Sequence, residues 1–167
     1  MVSTTFLNLS PEKQARVKQA LLHEFETYPL AQAQVARIVK EADIARGAFY
    51  KYFTDLNDAY QYLFKSALQT IHQTMPAQPT ALNVDEYVSA IRHFACGAEL
   101  SGYRKLVEMH YRYNENLLGA QPTTPTADKK WAFKVLYHQT VRDVILDPAS
   151  LEQRLSQLKV ILQSLAD

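Results

Sequence analysis

Cysteine is nearly missing from this sequence: Cys96 stands alone among 167 residues. No intramolecular disulfide can form, and a reducing, cytoplasmic setting is expected. Glycine is almost as scarce, with four in the whole chain. No stretch approaches the roughly 18 continuous apolar residues of a membrane-crossing helix, so no membrane partner is expected. The opening Met1-Val2-Ser3-Thr4-Thr5-Phe6-Leu7 has neither a basic start nor a long apolar run, which argues against a secretory leader. Neither sign of charge dominates: 18 Lys and Arg stand against 17 Asp and Glu, for a net charge of +1. Any affinity for nucleic acid must then come from local placement and not from a global field. Phosphate-cradling glycine loops, zinc motifs and nucleophile elbows are also missing, which weighs against an enzyme. His93 and Cys96 lie three apart, but two ligands do not make a metal site, and no cofactor is implied.

Apolar residues make up 47% of the chain. They recur at three- and four-residue spacing almost throughout, which predicts an all-α protein. Ser10-Pro11-Glu12 opens the first helix with a cap, a first-turn proline and an acid at the positive end of the dipole. Its stripe is Val17, Ala20, Leu21 and Phe25, and Pro29 closes it. Two short helices follow, over about residues 34–41 and 46–52. A longer one begins at Asp55, a plausible cap, and runs through Leu56, Tyr60, Leu63, Phe64 and Ala67 to about Met75. Residues 76–83 and 119–127 read as loops.

Beyond residue 83 the pattern gives further amphipathic helices. One carries Val84, Tyr87, Val88, Ile91, Phe94 and Ala95 and breaks at Ser101-Gly102. The next places Tyr103, Leu106, Val107, His110, Asn114 and Leu117 on one stripe. The helix over about 128–146 is apolar on all sides, which predicts cover on two of them. The last spaces Leu151, Leu155, Leu158, Leu162 and Leu165 by four and three, a short coiled-coil-like seam.

The informative segment is Val35-Ala36-Arg37-Ile38-Val39-Lys40-Glu41-Ala42-Asp43-Ile44-Ala45-Arg46-Gly47-Ala48-Phe49-Tyr50-Lys51-Tyr52-Phe53. Val35, Ile38, Val39 and Ala42 form one apolar face, and Ile44 plugs the turn. Phe49 and Phe53 are the inner face of the second helix, which is too short to stand alone. That helix offers Arg46, Gly47, Ala48, Tyr50 and Lys51 outward. A small first turn followed by aromatic and basic groups suits insertion into a DNA major groove.

This segment resembles the helix-turn-helix of the tetracycline-repressor (TetR) family of one-component transcriptional regulators. Val35, Ile38, Ala42, Ile44, Gly47, Phe49, Tyr50, Tyr52 and Phe53 carry the likeness with unbroken spacing, within residues 10–64. The resemblance implies an N-terminal three-helix DNA-binding domain, residues 1–54, and a C-terminal helical effector-binding and dimerisation domain, residues 55–167. It implies a cytoplasmic homodimer that binds double-stranded operator DNA, a repressor released by a small lipophilic effector. Tyr50 and Lys51 would contact bases or phosphates, Arg46, Gly47 and Ala48 would approach the groove, and Tyr52 would reach phosphate through its hydroxyl. Gln34, Arg37 and Asn57 are further candidates. The plainer alternatives are core aromatics with wet tips for Tyr50 and Tyr52, and solvated charges for Arg46 and Lys51.

The chain also departs from the family pattern. Asp43 replaces the turn glycine and tolerates the left-handed conformation. Ala45 and Ala48 stand where hydroxyl residues are usual, Gln34 where a capping threonine is usual, and Leu56 where a lysine often begins the fourth helix. These losses keep open a second reading, a helical interaction module that has lost DNA binding.

No family motif extends past Ala67. Tyr87, Phe94, Tyr103, His110, Asn114 and Trp131 are the candidate lining of an effector pocket, with an apolar or lipophilic-cationic ligand in view. A packed core, with His110 and Asn114 satisfied by other side chains, accounts for the same residues. Val141, Ile145, Leu151, Leu155, Leu158 and Leu162 are the candidate dimer interface. Packing of the leucines within one chain is the alternative.

Overall fold

The computed structural model describes residues 2–73, 83–97, 102–117 and 128–166. Every regular element among them is helical. Helix α1, Thr4–Leu7, is capped by Ser3, whose Oγ accepts from the Phe6 N–H at 3.3 Å. Helix α2, Pro11–Thr27, starts as its sequence dictates, with Ser10 accepting from Lys13 N–H at 3.4 Å. Its inner stripe is Val17, Ala20, Leu21, Glu24 and Phe25. A 3-10 turn, Leu30–Gln32, leads to α3, Val35–Glu41, and α4, Arg46–Tyr52. Asp43 between them sits at φ 51°, the left-handed conformation expected at the turn.

Helix α5, Leu56–Gln73, is fixed at its start from both directions. Asp55 Oδ1 accepts from the Asp58 N–H at 2.8 Å, and Asp58 Oδ2 accepts from the Thr54 N–H at 3.0 Å. The expected end near Met75 lies outside the described residues, as do the loops at 76–82 and 119–127. Helix α6, Val84–Ala95, closes on Gly97 at φ 71°. Helix α7, Arg104–Met109, loosens into a π-helical turn, His110–Asn114, then a 3-10 turn, Glu115–Leu117. The single stripe expected over 103–117 is thus interrupted. Helix α8, Asp128–Leu146, and α9, Leu151–Ala166, flank a 3-10 turn, Pro148–Ser150.

The buried side chains gather into two cores. The first joins Phe6, Leu21, Phe25, Ile38, Phe49, Phe53, Tyr60 and Leu63, and reaches on to Ala67 and Leu106. The second joins Tyr87, Ile91, Val107, Val144, Ile145, Leu155 and Leu158. Leu106 and Val107, adjacent on α7, therefore serve different cores. The first core extends well past residue 54, because the inner face of α5 belongs to it.

Two expectations change here. Helix α8 buries one stripe, Tyr137, Thr140, Val141, Val144 and Ile145, while Trp131 and Val135 stay 61% and 46% exposed. Among the described residues, no second side of α8 is covered. Leu155, Leu158 and Leu162 are 1–3% exposed and fill the second core beside Val141 and Ile145. They are interior to one chain and cannot face another, because α6 and α8 already occupy that side of α9. Leu151 is half-buried against the same core. The outward apolar residues of α9 are Val160 and Ile161.

Candidate nucleic-acid interface

The α4 helix has two unlike sides. Phe49, Tyr52 and Phe53 are at most 5% exposed and bind the helix to the first core. Arg46, Gly47, Tyr50 and Lys51 face outward, with Ala48 half-buried. Tyr50 is 49% exposed and sets its ring edge-on to Phe49, centroids 5.3 Å apart. The Arg46 guanidinium lies 6.0 Å from the Tyr50 ring centre, so cation and aromatic form one outward pair. Lys51 extends the positive edge by one residue. Gln34 and Asn57 are exposed on the same module. An open groove of about 480 Å³ runs between Leu30, Val35, Tyr50, Leu56, Asn57 and Leu117.

Gly47 is informative. Its φ is not positive, and a Cβ placed on it would meet nothing within 4 Å. Neither the backbone nor the packing of this chain requires glycine there. Glycine in a helix costs up to about 1 kcal/mol against alanine. An atom-free surface at the outward first turn suits close approach by something outside the chain.

Two of the candidate DNA contacts have other employment. Arg37 is gripped by Glu24, a carboxylate only 4% exposed on the inner stripe of α2. Its Nε donates to Glu24 Oε2 at 2.8 Å and its Nη2 to Oε1 at 2.6 Å. Nη2 also donates to the Gln32 carbonyl at 2.9 Å, and the guanidinium stacks 3.8 Å over the Tyr28 ring. Arg37 is therefore a structural clamp through Nε and Nη2, while its side chain stays 34% exposed. Tyr52 is the second: 5% exposed, it packs its ring edge-on to Phe6 at 5.6 Å.

The same Glu24 explains how α3 starts without its usual cap. Gln34 makes no side-chain cap bond. Instead Glu24 Oε1 accepts from the Gln34 N–H at 2.7 Å, so one of the open N–H groups at this terminus is satisfied from another helix. Ala45 supplies no side-chain cap to α4 either. Glu24 escaped the sequence reading although its spacing placed it: it falls three after Leu21 and four after Ala20, on the buried stripe.

The six candidate effector residues fall in different parts of the described structure. His110 Nδ1 lies 3.1 Å from the Tyr60 hydroxyl, and its ring stacks on Phe64 at 4.1 Å. Burial pulls the His110 pKa down, against the pull of Glu115. The lowered value favours the neutral imidazole beside the phenol hydroxyl. Burial likewise pushes the Tyr60 pKa up to about 12, partly offset by Asn114. Asn114 is fully buried, and its Oδ1 accepts from the Leu30 N–H at 3.0 Å. Its Nδ2 is buried with no partner at hydrogen-bonding distance. His110 is thus engaged by Tyr60 and Asn114 Oδ1 by the Leu30 backbone, while Asn114 Nδ2 has no such bond among the described residues. Tyr103 packs on the first core, Tyr87 and Phe94 lie in the second, and Trp131 stands out on α8.

Residues 18–56 match the family model of the bacterial regulatory proteins, tetR family. The match spans the second half of α2 through the first residue of α5. Among solved structures, the chain is similar to a TetR family transcriptional regulator from Chloroflexus aurantiacus J-10-FL. The TM-score is 0.53 at 20% identity, over 99% of this chain and 97% of that one. At that identity the likeness speaks for the fold, an N-terminal helix-turn-helix followed by a helical domain. No curated protein matches the chain.

Proposed function

We propose that this chain, whose residues 18–56 match the model of the bacterial regulatory proteins, tetR family, is a member of that family and a sequence-specific DNA-binding regulator acting as a homodimeric repressor in the cytoplasm. The observation that carries the reading is the two-sided α4: Phe49 and Tyr52 inward, Arg46, Gly47, Tyr50 and Lys51 outward. A helix-turn-helix dimer reads two half-sites related by its own two-fold. The exposed apolar residues of α8 and α9, Trp131, Val135, Val160 and Ile161, are the surface offered for pairing. No helix among the described residues is long and apolar enough to cross a membrane.

Release by a small effector is part of the proposal. The second core is aromatic where Tyr87 meets Phe133 at 4.6 Å and Tyr137 at 6.0 Å. An apolar or lipophilic-cationic ligand fits such surroundings. It must bind the released state more tightly than the DNA-fitting one, or nothing shifts.

Selection of DNA from a random-sequence pool by the full chain tests the reading. Enrichment of a two-fold-related site supports it, and Tyr50→Ala and Lys51→Ala should each weaken binding to that site with melting unchanged. Losing a base contact lowers discrimination by roughly 1–3 kcal/mol. If no sequence is enriched and both variants bind like the parent, the chain is an interaction module instead.

A further inference from the structure

The α4 helix has seven residues, too few to hold its shape unaided. Its last carbonyls have no partner within the helix. Two of them are taken by one residue near the start of the chain. Ser3 Oγ–H donates to the Lys51 carbonyl at 2.6 Å, and Ser3 N–H donates to the Tyr52 carbonyl at 3.0 Å. The same Oγ accepts from the Phe6 N–H at 3.3 Å, so a single hydroxyl caps the start of α1 and the end of α4. Phe6 is fully buried, with ring centroids 5.6 Å from Tyr52, 5.2 Å from Phe53 and 5.2 Å from Tyr62 on α5. The other end of α4 begins at Ala45 with no side-chain cap. Besides its packing on the first core through Phe49, the helix that presents Tyr50 and Lys51 is thus fastened at its C-terminal end by an arm that lies outside residues 18–56.

We propose that Ser3 and Phe6 are positioning residues for DNA reading: they fix the pitch of α4, and with it where Tyr50 and Lys51 point. This rests on α4 being the DNA-reading helix. Ser3 touches the backbone of Lys51 itself, so a loosened arm displaces the residue meant to meet the duplex. Neither Ser3 nor Phe6 contacts the ligand in this scheme.

The test compares the full chain with Ser3→Ala, Ser3→Thr and Phe6→Leu by amide hydrogen exchange and by titration with a short random-sequence DNA duplex at low ionic strength. One lost hydrogen bond should speed exchange of the α4 amides about two- to tenfold in Ser3→Ala. Amides of α2 and α9 should keep the parent's rates, and duplex affinity should fall by a similar factor. Ser3→Thr, which keeps the hydroxyl, should restore both readings. Phe6→Leu should loosen α4 in the same selective way. Uniform acceleration across all helices would reduce the arm to general stability and overturn the proposal. So would unchanged α4 exchange in both Ser3→Ala and Phe6→Leu, or faster α4 exchange with unaltered duplex affinity. If the parent itself ignores the duplex, the DNA-binding reading fails, and the positioning role proposed here fails with it. The exchange rates then show separately whether the arm still holds α4.

Discussion

The Asn114 side-chain oxygen accepts a 3.0 Å hydrogen bond from the Leu30 backbone N–H, 84 positions earlier in the chain. Leu30 opens the 3-10 turn that leads into α3, and Asn114 closes the π-helical turn after α7. The bond therefore ties the entrance of the helix-turn-helix to the helices beyond it. π-helical turns inside helices recur at functional positions, and this one places a buried amide at a joint.

Asn114→Ala should destabilise the protein by about 1–3 kcal/mol, the usual result of leaving a buried N–H unpaired. Asn114→Asp should be worse, since it adds a charge at a fully buried site. Urea unfolding of both variants checks the order. A neutral result for Asn114→Ala would mean that water replaces the amide.

Arg37→Ala should lower the melting temperature, and by more than Arg46→Ala or Lys51→Ala, because it strands the buried Glu24 carboxylate. Arg37→Lys should not restore it, since an ammonium cannot match the forked contact. Thermal scans of the four variants decide. Equal losses at Arg37 and Lys51 would return Arg37 to the surface charges.

Gly47→Ala separates folding from binding. With open space around the position and no positive φ, alanine should leave stability equal or raise it by up to about 1 kcal/mol. DNA affinity should fall, because the added methyl occupies the outward first turn. A variant that is both more stable and equally good at binding would show that nothing approaches α4 there.

Stability should decline on acidification below about pH 6.5, the ordinary histidine value. The His110 pKa is lowered in the fold by burial. Between its folded and unfolded values the unfolded chain binds the extra proton, so stability rises with pH in that window and is lost as pH falls through it. His72, also lowered, chiefly by burial and then by His138 and Lys134, adds to the same slope. Tyr60 acts at the other end: its raised pKa makes the fold lose stability as pH climbs from about 10 toward 12. Denaturation midpoints across pH for the parent and His110→Gln give the check. The variant should show the shallower acid slope.

Leu155→Glu should unfold the second core instead of dissociating a dimer, because the side chain is 1% exposed within one chain. Val160→Glu with Ile161→Glu should leave the fold intact and, if those residues pair copies, yield a monomer by sedimentation. A folded, dimeric double variant would move the pairing surface to α8.

Much of this was legible in the sequence, and each exception has its own physical reason. The helix-turn-helix could be read because Val35, Ile38, Ala42, Phe49 and Phe53 act locally, at short and regular spacing. Asp43 declared its left-handed turn for the same reason. Arg37 misled because its partner Glu24 sits on another helix, and nothing in the neighbourhood of residue 37 names that partner. The α9 leucines misled differently. A four-three spacing says that a face is buried, but not whether a neighbouring helix or a second copy buries it. Helix α1 was invisible because four residues carry no period, and its anchor is the contact of Phe6 with Tyr52, Phe53 and Tyr62.

The displaced cap of α3 also bears on the order of folding. A threonine at the helix start would let α3 nucleate from its own residues. Here the acceptor for the Gln34 N–H arrives on Glu24, so the start of α3 is favourable only once α2 has formed and swung alongside. A local step has become a docking step, with a loop to close before any reward. The start of α3 is thus coupled to α2, and an isolated peptide of α3 and α4 should remain a coil.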